Sequence, residues 1–245
     1  MSYDLYVLPW HLATDNDSAE RVMREDCQTG AAAGRHSADS PLVAVIAQII
    51  DRQRQRGIEH EPPEPLRVGT YVPAAWPDAE RSREVVIPLA AVWGFDVYDP
   101  QENLYIDTEH AVPISVHHGT VGRFPMLGPR MLDTLIGRLV DPHPFLIIER
   151  DSEVYAQTRV RDDGRFDLEY RDGSAERHFA TVTDPDRLPG HLWAWVLGGP
   201  AALSDMEWTK LDLQTPDDRL NRPGFAGGSV SWFQLLLGPG SHGSW

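Results

Sequence analysis

The residues best suited to acid–base work gather in LEYRDGSAERHF, residues 168–179, which holds Glu169, Asp172, Glu176, Arg171, Arg177 and His178. A histidine beside a carboxylate is the minimal pair for general-base catalysis, because the carboxylate orients the ring and stabilises its charged form. His178 with Glu169 or Glu176 meets that requirement in composition. The same residues also fit the solvated face of a β-hairpin: Glu169 and Arg171 stand two positions apart and so project to one side, with Asp167 beside them. Catalysis further needs a pocket and a base of tuned pKa, and a flat hairpin face provides neither by itself. The pattern favours a solvated sheet face whose alternating charges need no function; the functional reading is a face that offers acid and arginine to a partner. The contact residues expected on it are Tyr155, Arg159, Glu169, Arg171 and Asp172.

His117 and His118, with Glu109 and His110 upstream, come nearest to a metal cluster. Adjacent histidines on a strand point to opposite faces, and no second pair has the i, i+4 spacing that puts two imidazoles on one helical face. No metal and no cofactor are expected. The chain lacks the G-x-S-x-G elbow, the phosphate-binding G-x-x-x-x-G-K-[ST] loop and G-x-G-x-x-G. GFAGGSV, residues 224–230, is rich in glycine, but its acidic surroundings and the short apolar run after it mark a loop. YDPQ, residues 98–101, is explained by an Asp-Pro turn. Cys27 is the only cysteine, so no intrachain disulfide is possible, and no basic cluster near it would activate the thiol.

The charge balance sets the class of partner. The 245 residues include 37 acidic and 22 basic ones, a net charge of −15. Such a surface repels nucleic-acid phosphates and anionic membranes and speeds encounter with a cationic protein. The N-terminal residues lack a basic segment followed by an apolar core and a small-residue cleavage site, and apolar runs are broken by Pro, Gly or charge well short of a membrane span. A cytoplasmic protein is expected.

The elements that must position these residues follow from periodicity. YDLYVLPW is a short strand, and a helix starts at Asp17 or Ser18. GAAAGRHSADS reads as a linker. Ser40 as cap and Pro41 at the first helical position open a helix over 41–56, with Leu42, Val45, Ile46, Ile49 and Ile50 on one face and a stop at Gly57. VGTYVPAAWP is a strand that Pro73 interrupts, and 78–93 is a helix that Pro88 kinks. Residues 95–98 are extended. The N-terminal portion, 1–107, thus alternates strand and helix, an α/β pattern.

Residues 108–124 show no clear period, and the boundary falls there. In the C-terminal portion, 125–245, a helix opens at Pro129 with Met131, Leu132, Leu135, Ile136 and Leu139 on its apolar side. Four strands follow, PFLIIERD, EVYAQTRVR, RFDLEYR and RHFATVT, joined by DDG and DGSAE turns. Strict alternation puts Val154, Ala156, Thr158 and Val160 on one face and Tyr155, Gln157, Arg159 and Arg161 on the other. This predicts an antiparallel meander with one packed and one wet face. A helix with Leu188, Leu192, Trp195 and Val196 toward the sheet comes next, then a strand in MEWTKLDL. The apolar run 230–237 in the Gly/Pro-rich tail is expected to dock on its own domain. The fold class is α/β plus α+β.

Residues 144–213, with LEYRDG, the following RHF strand, WAWVLGG and MEWTKLDL, resemble the first immunity-protein family of bacterial polymorphic toxin systems. SYDLYVLPW with GFDVYDPQ is similar to an uncharacterised bacterial domain that begins YDL and closes in YDPQ. The first resemblance implies a small cytoplasmic protein without catalytic residues that neutralises a toxin by stoichiometric binding. The leading expectation is therefore a non-catalytic acidic protein whose partner is a basic toxin domain. The alternatives are a hydrolase or metal-dependent enzyme using His178 or His117 and His118, and a structural interaction module.

Overall fold

Residues 3–8 run almost continuously apolar because the strand they form is covered on both faces. The computed structural model describes residues 2–29, 36–59, 61–63, 65–140 and 142–211. In it, β1 (Ser2–Pro9) buries Tyr3, Leu5 and Val7 in one apolar cluster and Tyr6 and Leu8 in another. α1 (Asn16–Thr29) covers the second side through Ala19, Val22 and Met23. The first side packs on α2 (Pro41–Gln55) and α3 (Ala79–Val92), which contribute Leu42, Val45, Ile49, Val86, Ile87 and Ala90.

The α2 boundaries follow from local chemistry. Pro41 sits at the helix start after an extended Ser40, whose side chain makes no capping bond. At the other end Gly57 takes φ of +64°, and the Gly57 and Ile58 amides close onto the Arg54 and Gln53 carbonyls. β2 (Thr70–Ala75) runs through Pro73 without interruption, contrary to the expected break. It lies at the edge of its sheet, where a missing ladder donor is tolerated. α3 likewise carries Pro88 inside one continuous helix. With β3 (Phe95–Asp99) and β4 (Leu104–Ile106) the sheet has the order β2-β1-β3-β4. The alternation expected of this portion is present in the element order, and the strands it delivers pair antiparallel throughout.

Residues 112–127, whose period the sequence hides, form the hairpin of β5 (Val112–His118) and β6 (Gly122–Leu127). The concealment has a cause: Pro113 and a register shift between Pro113 and Val116 break the alternation. α4 (Pro129–Ile136) follows, then the meander of β7 (Phe145–Asp151), β8 (Val154–Val160), β9 (Phe166–Asp172) and β10 (His178–Thr183). α5 (Leu188–Gly198) buries all four expected residues, Leu188, Leu192, Trp195 and Val196. Among the described residues of the last expected strand, β11 spans Thr209–Lys210. The seven strands are ordered β11-β10-β9-β8-β7-β5-β6, all antiparallel. The fold is mixed α+β with an antiparallel meander.

The largest buried cluster extends from Tyr3 to Leu203 and draws on both sheets, across the stretch where the two portions were expected to meet. No helix among the described residues is long and apolar enough to cross a membrane. The tail run 230–237 and GFAGGSV lie outside the described residues.

Candidate functional site

The meander alternates as the sequence requires, but its second face is not uniformly wet. Ala156, Phe166 and Leu168 enter the main core on one side. On the other, Tyr155, Gln157, Glu169 and His178 are each less than 5% exposed. This corrects the expectation for Tyr155 and Glu169, which lie below the surface and present nothing to a partner there. Alternation fixes which residues share a face, not what covers it. Ile147, Gln157, Glu169 and Ala180 stand in one cross-strand row, and all four are buried.

Three polar side chains at and beside that row bond to one another through one carboxylate oxygen. His178 lies diagonally across from Glu169, and its Nε2 is 3.1 Å from Glu169 Oε2, which also accepts from Gln157 Nε2 at 2.7 Å. The His178 ring stands edge-on to Tyr155. Glu169 Oε1 and His178 Nδ1 are buried without a hydrogen-bond partner. The histidine and carboxylate that the sequence places side by side therefore do meet, inside the protein. Of the remaining expected contact residues, Arg159 is half-buried, Arg171 is ion-paired with Glu153, and Asp172 with Arg177.

The other histidines separate. His118 turns into the core, where Nε2 donates to the Leu135 carbonyl at 3.0 Å and Nδ1 accepts from the Thr120 and Val121 amides at 3.2 and 3.3 Å. Burial pushes its pKa down, as befits a ring whose two nitrogens are matched only when neutral. His117 faces the opposite way against Phe145 and is also lowered by burial, with Arg123 adding to the effect. His110 binds Asp107 at the surface, and Glu109 approaches His11 at 3.6 Å. The candidate metal residues are thus dispersed.

A second polar centre escaped the sequence reading. Arg83 is 2% exposed, on the apolar stripe of α3 that continues through Val86, Ile87 and Ala90. Its Nη2 and Nε donate to Asp99 Oδ2 at 2.8 and 3.1 Å, Nε also reaches the Tyr3 hydroxyl at 2.7 Å, and Nη1 donates to the Val121 carbonyl at 2.6 Å. The Tyr3 hydroxyl donates in turn to Asp99. The guanidinium also lies over the Phe124 ring, 4.3 Å from its centre. This node joins β1, α3 and β3 of the small sheet to the β5–β6 turn of the large one. An arginine on an otherwise apolar helical stripe was the available signal, since a buried charge requires a partner.

Two concavities flank the node. One, of about 500 Å3, is lined by Tyr3, Trp76, Glu80, Arg83, Glu102 and Gly122 among others. The second is an open cleft of about 1230 Å3 between the start of β1, the segment after α2, the edge strand β2 and the β3–β4 turn. Asp4, Glu59 and Glu61 line it, and its described lining contains no basic side chain. Tyr71, Pro73 and Ala74 supply its apolar wall. Comparison with family models, with curated proteins and with solved structures found no match.

Proposed function

We propose that this protein is a non-catalytic acidic binding protein of immunity type, which neutralises a basic protein partner by stoichiometric occlusion. The observation that carries the reading is the open cleft, which Asp4, Glu59 and Glu61 line together with the apolar wall residues. That composition suits a cationic surface segment: the charges steer encounter, and the Tyr71–Ala74 wall supplies apolar contact. The net charge of −15 extends the same attraction over the whole molecule. The resemblance of residues 144–213 to an immunity family supports the same reading. The contact surface moves accordingly from the meander, where Glu169 and Tyr155 are buried, to the small sheet.

The test is capture of a partner by the tagged full chain from its native cells at low and at moderate salt, followed by co-expression of that partner. A single basic protein, bound one to one, released by salt and less toxic when co-expressed, is the expected result. Absence of any stoichiometric basic partner overturns the reading.

A second reading, a hydrolase with His178 as general base, draws on the 3.1 Å contact with Glu169. Both side chains are buried, so this chemistry requires the covered face of the meander to open. A turnover activity abolished by His178→Ala would establish it.

A further inference from the structure

We infer that the pocket between Trp76 and the β5–β6 turn accepts one arginine side chain of the protein partner, an inference that rests on the binding role proposed above. The pocket adjoins the acidic cleft: Ala75 and Gln101 line the cleft, and their neighbours Trp76 and Glu102 line the pocket. A segment lying in the cleft therefore passes the pocket mouth.

Three features select a guanidinium. First, Trp76 is 46% exposed although its ring packs edge-on against buried Tyr3, which leaves indole surface open at the pocket wall. An open indole beside carboxylates is a cation–π platform, and a planar guanidinium stacks on it better than an ammonium does. Second, the cations already present are engaged. Arg83 directs its donors to Asp99, Tyr3 and the Val121 carbonyl and is 2% exposed, so it is not available to an anion. Arg81 turns to Asp78 and to the Arg56 carbonyl. Third, two carboxylates remain at the mouth. Glu102 lies 4.0 Å from Arg83 Nη2, the limit of an ion pair, and Glu80 Oε1 accepts from the Arg123 backbone amide at 3.1 Å. Burial and the neighbouring Asp99 charge raise the Glu102 pKa, against the lowering effect of Arg83 and Arg138.

The experiment is titration of the 15N-labelled full chain with tri-arginine and tri-lysine peptides, the Trp76 indole signal being assigned through Trp76→Phe. Saturable movement of the Trp76 indole and Gly122 amide signals is expected with tri-arginine, with roughly fivefold to tenfold weaker binding for tri-lysine and for Glu102→Gln. Glu102→Gln is isosteric, and an unchanged spectrum of the free variant verifies its fold. Movement confined to the Asp4 and Glu59 amides overturns the arginine pocket while leaving the acidic cleft standing. Equal binding of both peptides at Trp76 overturns the selection of arginine. If no signal moves, the pocket and the cleft reading fall together.

Discussion

Arg83→Leu removes the cation from the node that joins the two sheets, and the structure sets the size of the loss. Asp99 is fully buried and would keep only the Tyr3 hydroxyl and the Glu102 amide as donors. The Val121 carbonyl would lose its donor and Phe124 its stacked guanidinium. Breaking one side of a buried ion pair destabilises by about 3–5 kcal/mol, because the charge left behind is neither solvated nor paired. That is a large part of the roughly 5–15 kcal/mol that holds a domain folded. Urea unfolding followed by circular dichroism should show a much lower midpoint at unchanged slope. Adding Asp99→Asn to Arg83→Leu should restore part of the loss, since the stranded charge disappears, whereas Asp99→Asn alone should destabilise. A single-variant loss below about 1 kcal/mol, or strictly additive behaviour of the pair, would refute the view that this ion pair is a coupled structural node.

The remaining expectations concern the large sheet. Glu169→Leu strands the Gln157 and His178 donors in a buried row and should cost about 1–3 kcal/mol for each group left unpaired, measured by urea unfolding. At Gly119 a β-carbon would sit 2.1 Å from the His143 carbonyl oxygen, so Gly119→Ala must displace that segment, with an expected loss of about 1–3 kcal/mol in the same assay. His118 has a folded-state pKa below its ordinary 6.5, so the unfolded chain takes up protons first. The stability this contributes is present above about pH 6.5 and declines as pH falls through that value toward the lowered one. The fall in urea midpoint between about pH 7.5 and about pH 5.5 should be smaller in His118→Gln, and an unchanged fall would refute the assignment.

Periodicity made α2, α5 and the meander legible, because each sends one regularly spaced set of apolar residues into the main core. The β5–β6 hairpin was hidden by Pro113 and its register shift. The pairing of His178 with Glu169 could be foreseen from a hairpin register, but not their burial, which depends on the second face of a seven-stranded sheet. The partners of Arg83 were hidden for a different reason: Tyr3 and Asp99 lie 80 and 16 positions away, and Asp99 alone reads as part of an Asp-Pro turn. The acidic cleft unites Asp4, Glu59 and Gln101, which stand far apart in the chain and on different elements.

The most direct measurement is calorimetric titration of the captured partner with the wild-type chain and with an Asp4→Asn/Glu59→Gln double variant, over a series of salt concentrations. The expected result is a one-to-one complex whose Kd rises steeply with salt, together with roughly tenfold weaker binding and a shallower salt dependence in the variant. A salt-independent Kd that the double variant leaves unchanged would contradict occlusion of a basic partner at the acidic cleft.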